Sequence, residues 1–110
     1  MVINLLNFVN QCYSDSDGAI IYSIIVRYME ENEIVLSFEG IDIVSSSFVN
    51  AALIPFIKLM GFDEIKRKFQ FINTNKQIND MIKRRFQFEA SRKINDAGNI
   101  RESDNLKATQ

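Results

Sequence analysis

A chain of 110 residues in which 46% of side chains are hydrophobic and 25% charged has the balance of one small globular domain, able to bury about two-thirds of its unfolded surface around a single core. It contains no His and one Cys, which excludes Ser–His–Asp and Cys–His catalysis, a CxxC pair and an internal disulfide. The net charge of −1 hides an asymmetry: residues 1–57 carry one basic against seven acidic side chains, residues 58–110 twelve against seven, so opposed patches are expected to orient docking with charged partners.

In chain order, Val2 to Val9 is dense in β-formers and of strand length, and is expected to be a strand covered on both faces. Ser14-Asp15-Ser16-Asp17-Gly18 supplies N-cap oxygens, so a helix is expected to start near Asp17. Ile20, Ile21, Ile24, Ile25 and Tyr28 then recur on one helical face. Ile34-Val35-Leu36-Ser37-Phe38 reads as a central strand closed by Glu39-Gly40, and Ile41 to Val44 continues extended into Ser45-Ser46-Ser47. Phe48, Ala51, Ala52, Phe56 and Leu59 repeat at helical spacing up to Gly61, a C-cap. Pro55 should divide that helix near Leu53-Ile54, because its ring removes a hydrogen bond and clashes with the preceding turn. Phe69 to Ile72 reads as a third strand. Asn73-Thr74-Asn75 offers caps for a last helix with Ile78, Met81, Ile82 and Phe86 facing inward.

This alternation predicts an α/β domain, βαβαβα with a mainly parallel sheet, over residues 1–93. Residues 94–110 lack a sustained apolar pattern and are expected to form a flexible tail. No stretch reaches the roughly 20 apolar residues of a membrane helix. Met1-Val2-Ile3-Asn4 has no basic region ahead of an apolar stretch, so a cytoplasmic location without membrane association is expected.

The four glycines, Gly18, Gly40, Gly61 and Gly98, build no phosphate-cradling loop, and neither a cofactor nor a metal is expected. Asp15, Asp17, Glu39 and Asp42 match no EF-hand spacing, so capping and solvation account for them better than a metal does. Cys12 reads as a buried small hydrophobe. The most informative feature is the turn from the central strand into the next helix. It places hydroxyls at the carboxyl end of an open α/β sheet, where ligands and partners are usually met. A phosphate added there would bring nearly two negative charges, either repelling a partner or recruiting basic groups.

Ile34 to Ile41, Val44-Ser45-Ser46-Ser47-Phe48, Phe71 to Asn75 and Ile78 to Ile82 resemble the small bacterial STAS-like domains of unknown function, over roughly residues 30–86. More distantly they resemble the anti-sigma factor antagonists of the STAS superfamily. The resemblance implies a domain that binds a histidine-kinase-like ATPase, which in the antagonists phosphorylates the first Ser of an Asp-Ser-Ser-Gly turn. That position corresponds to Ser46, the phosphorylation candidate, with Ser47 second, Ser45 in place of the Asp and Phe48 in place of the Gly. The departures remove a fixed charge beside the hydroxyl and put a large ring where a kinase loop would approach.

The function expected is therefore a non-catalytic protein–protein interaction module, of bacterial or phage origin, with Ser45, Ser46, Ser47, Phe48 and Asn50 as the contact surface. Plain N-capping by the serines and core packing of Phe48 are the simpler alternatives. Two other function classes stay open. One is a nucleic-acid-associated factor using Lys66-Arg67-Lys68 and Lys83-Arg84-Arg85, disfavoured because the global charge is not basic. The other is a structural subunit completed by self-association, a homo-oligomer.

Overall fold

The computed structural model describes the backbone of residues 2–99 and the side chains of residues 2–92. Three strands, β1 (Val2–Asn4), β2 (Ile34–Ser37) and β3 (Phe69–Ile72), form a parallel sheet in the order β1-β2-β3. Between them run α1 (Asp15–Val26), then α2 (Ser46–Ala52), α3 (Ile54–Met60) and α4 (Phe62–Lys68); α5 (Lys76–Asn99) follows β3. The expected α/β class with a parallel sheet and β2 at its centre is what forms.

The first strand departs from expectation. It stops after three residues and gives way to a single 3-10 turn at Leu5–Asn7. The cause lies in its neighbour: Asn4 pairs with Ser37, the last residue of β2, so Leu5 has no strand to bond. Nor is it covered on both faces. Ile3 is buried beside Leu36, whereas Val2 is 56% exposed and Asn4 is exposed.

Helix α1 starts two residues before Asp17. The Ser14 hydroxyl accepts the Asp17 N–H at 3.1 Å and Asp15 and Asp17 sit in the positive first turn. Ile21, Ile24 and Ile25 are buried; Ile20 is exposed and Tyr28, beyond the helix end, half-buried. The next helical stretch breaks where Pro55 demands it, α2 ending at Ala52 and α3 starting at Ile54. Gly61 closes α3 at φ +81°, its N–H donating to the Ile57 carbonyl at 3.0 Å. Helix α4 was not anticipated. Its signal is Phe62 and Ile65 three apart, with Asp63 and Glu64 in the first turn and Lys66, Arg67 and Lys68 in the last, charges that complement the helix dipole at both ends.

Helix α5 is capped by Asn75, whose Oδ1 accepts the Ile78 N–H at 2.9 Å. Ile78, Ile82 and Phe86 are buried and Met81 half-buried. The backbone of α5 runs to Asn99, so residues 94–99, expected to belong to the tail, continue the helix; the rest of the expected tail lies outside the described residues. The core is bound together by contacting rings: Tyr22 stacks on Phe56 at 5.0 Å, Phe56 meets Phe69 at 5.6 Å, Phe71 meets Phe86 at 6.4 Å and Phe62 meets Phe86 at 6.1 Å. These contacts join α1, α3, the sheet, α5 and α4 around one center of packing.

Candidate protein-interaction site

The site begins where β2 ends. Ser37 is the buried polar residue there, 2% exposed, and its hydroxyl accepts from the Asn73 amide at 2.9 Å and from the Glu39 N–H at 3.4 Å. Both flanking turns use positive φ, +83° at Gly40 and +55° at Asn73, conformations that Gly and Asn tolerate best. The chain then turns at Phe38 to Ile41, with the Ile41 N–H on the Phe38 carbonyl at 2.9 Å, and runs extended towards the serines.

That extended stretch is held from both sides. From the β3–α5 side, the Asn75 amide donates to the Asp42 carbonyl at 2.8 Å. The Gln77 amide brackets Val44, accepting its N–H at 3.0 Å and donating to its carbonyl at 2.9 Å. From the β1–α1 side, Val44 bridges Cys12 in parallel and the Ser45 N–H donates to the Cys12 carbonyl at 3.0 Å. The Ser45 hydroxyl donates to the Tyr13 carbonyl at 2.6 Å and accepts the Phe48 N–H at 3.0 Å, capping α2.

The five residues expected to form the contact surface therefore divide. Ser45 is half-buried, with its hydroxyl committed in both directions. Ser46 and Ser47 are exposed in the first turn of α2. Asn50 is exposed, its Oδ1 accepting the Arg85 Nε–H at 2.6 Å. Phe48 is corrected: it is 0% exposed and belongs to the core, so it is no contact residue. Its ring, turned inward, also leaves the approach to the serines clear. Ser45 has a physical reason to replace an Asp, because a carboxylate could accept the Phe48 N–H but could not donate to the Tyr13 carbonyl.

Beside the turn lies a hollow of about 110 Å³ bordered by Leu6, Tyr13, Gly40, Asp42 and Ile43. Leu6, Tyr13 and Ile43 are exposed large hydrophobics. Sequence reading missed them, and Gln77 with them, because their role depends on chain segments meeting across the sheet end. Asn75 was visible as a cap and not as a tie to Asp42. Cys12 is fully buried, and burial, with the nearby Asp17 carboxylate second, pushes its thiol up to about 12. Among the described residues no cluster of His, Cys, Asp or Glu suits a metal ion, and no helix is long and apolar enough to cross a membrane.

A family model described as the STAS-like domain of unknown function (DUF4325) matches residues 17–79, more than half of the chain. The chain belongs to this family. Searches of the curated proteins and of the solved structures returned no match. The matched span of the STAS-like domain runs from the third residue of α1 through the first turn of α5, and so contains the serine turn and the side chains of Asn75 and Gln77 that hold the segment leading into it.

Proposed function

We propose that this STAS-like domain is a non-catalytic protein-interaction module that docks through Ser46 and Ser47, with Tyr13, Ile43 and Asn50 around them. The partner class is a histidine-kinase-like ATPase, and the regulatory element is charge added at Ser46. The observation that carries the reading is the contrast between neighbouring hydroxyls. Ser45 is consumed by the cap and by Tyr13, whereas Ser46 and Ser47 are exposed and have no hydrogen-bond partner among the described residues, on a turn tied down from both flanks. A rigid turn presenting unused polar groups beside exposed apolar side chains loses little freedom on binding. The non-catalytic part of the reading is supported by the lack of His and by a Cys12 thiol too buried to ionise near neutral pH.

The test is a calorimetric titration of the STAS-like domain with the histidine-kinase-like ATPase encoded nearest to it, in the presence of Mg-ATP, followed by amide shift mapping. A saturable complex that perturbs the amides of Tyr13, Ser46, Ser47 and Asn50 is expected. No complex, or perturbations confined to other faces, contradicts the proposal.

A further inference from the structure

Along the α2–α3 pair, Asn50, Ile54 and Lys58 follow one another at four-residue intervals, with Pro55 and Leu59 on the adjoining row. Together with Tyr22 of α1 they line an open groove of about 310 Å³. Its floor is apolar: Ile54 is buried and the Tyr22 ring is stacked on Phe56. Leu59, at 71%, is the most exposed large hydrophobic among the described residues.

The rim is polar and positive. Lys58 has no ion-pair or hydrogen-bond partner among the described residues. Asn50 uses its Oδ1 for Arg85, so its amide N–H groups remain to donate. No carboxylate lines the groove. The nearest charge partner of Arg85, Glu89, is already bonded to it at 3.1 Å and lies within 3.5 Å of Arg92.

We infer that this groove docks an acidic amphipathic peptide segment of a protein partner. An apolar side chain of the segment packs on Ile54, Pro55 and Leu59, and a neighbouring carboxylate meets Lys58 and the Asn50 amide. Charge complementarity selects this occupant: an unpaired ammonium and unpaired amide donors on an apolar floor complement a carboxylate beside a hydrophobic anchor. A nucleic acid would ask for several cations along its backbone rather than an exposed Leu and Pro. The inference goes beyond the serine-turn proposal and does not rest on it: Asn50 borders both surfaces, but Lys58 and Leu59, which the test changes, belong to α3 and the turn to the start of α2.

The test uses the full chain to select from a random display library of peptides of about a dozen residues. Labelled enriched peptides are then titrated against the parent, Lys58→Glu, Leu59→Ser and Ser46→Asp. Lys58 and Leu59 are exposed, so thermal melts close to the parent's are expected for their variants. The expected peptides pair Asp or Glu with Leu, Phe or Trp. Lys58→Glu and Leu59→Ser should each weaken them about tenfold or more, and Ser46→Asp should leave them within about twofold. No enrichment, enrichment of basic or uncharged peptides, or equal binding by parent, Lys58→Glu and Leu59→Ser overturns the inference. So does binding lost on Ser46→Asp alone, which would assign the peptides to the serine turn. A concentration-dependent dimer in sedimentation that Lys58→Glu dissociates would also overturn it, placing a second copy of the chain in the groove.

Discussion

The side-chain amide of Gln77, in the first turn of α5, forms two hydrogen bonds with the backbone of Val44, at 3.0 and 2.9 Å, across 33 residues of sequence. It completes the pairing of an extended segment that has Cys12 on one side and no strand on the other. The residue it fixes immediately precedes the cap of α2, so the position of Ser46 depends on a side chain from the helix that follows the last strand.

Gln77→Ala should leave a part-buried N–H and carbonyl of Val44 without partners and cost about 1–3 kcal/mol. In urea unfolding this appears as a lower midpoint with the slope unchanged. Hydrogen exchange should speed up selectively at the amides of Val44 and Ser45. An unchanged midpoint would mean that water replaces the clamp without loss.

Ser45→Ala should cost about 1 kcal/mol for the lost cap and more for the lost bond to the Tyr13 carbonyl. Ser45→Asp should recover only part of this, because the carboxylate restores the acceptor for the Phe48 N–H and faces the Tyr13 carbonyl as a second acceptor. Ser46→Ala should stay within about 0.5 kcal/mol of the parent. The order parent, Ser46→Ala, Ser45→Asp, Ser45→Ala in melting temperature checks the separation between a structural and a presented hydroxyl.

Much of the fold was legible where the deciding signal is local. Pro55 announced the break between α2 and α3 and Gly61 the end of α3, while the clusters Ser14 to Gly18 and Asn73 to Asn75 marked where α1 and α5 begin without singling out the caps, Ser14 and Asn75. Signals that depend on distant chain were not legible. The length of β1 is set by where β2 stops, and Phe48 points inward because α1 packs over α2. Helix α4 was missed because three of its seven residues are basic and read as a charge run. At the candidate site the serine turn itself was visible. The division of labour between Ser45 and its two neighbours was not, since it rests on a carbonyl 32 residues away.

Gly18 lies where α1 crosses α2. A Cβ there would sit 2.6 Å from the Phe48 carbonyl oxygen and 2.7 Å from the Ala51 Cβ. Helix propensity alone would favour Gly18→Ala by about 1 kcal/mol. The clash is with backbone, which cannot rotate away, and overpacking of this kind costs typically about 1–3 kcal/mol. A net loss of stability is therefore expected, and a thermal melt above the parent's would show that the two helices separate at little cost.

Cys12 gives a pH signature. Its folded thiol is pushed up to about 12 by burial first and by Asp17 second. The unfolded thiol ionises near ~8.5, so above that pH the unfolded state binds fewer protons than the folded one and stability falls as pH rises towards 12. Below ~8.5 both states are protonated and the contribution is constant. Cys12→Ala should show a shallower loss of stability over that alkaline window, measured by urea unfolding at each pH. Alkylation at pH 8 should be slow for the folded chain and fast in denaturant.

The central claim is that charge at Ser46 governs docking of a protein partner without governing the fold. Its most direct measurement is the affinity of parent, Ser46→Ala and Ser46→Asp for a histidine-kinase-like ATPase, the partner class proposed above, with melting temperatures taken alongside. The account predicts that Ser46→Asp shifts the affinity by about tenfold or more, that Ser46→Ala stays near the parent, and that all three melt alike. Equal affinities for the three proteins would contradict it.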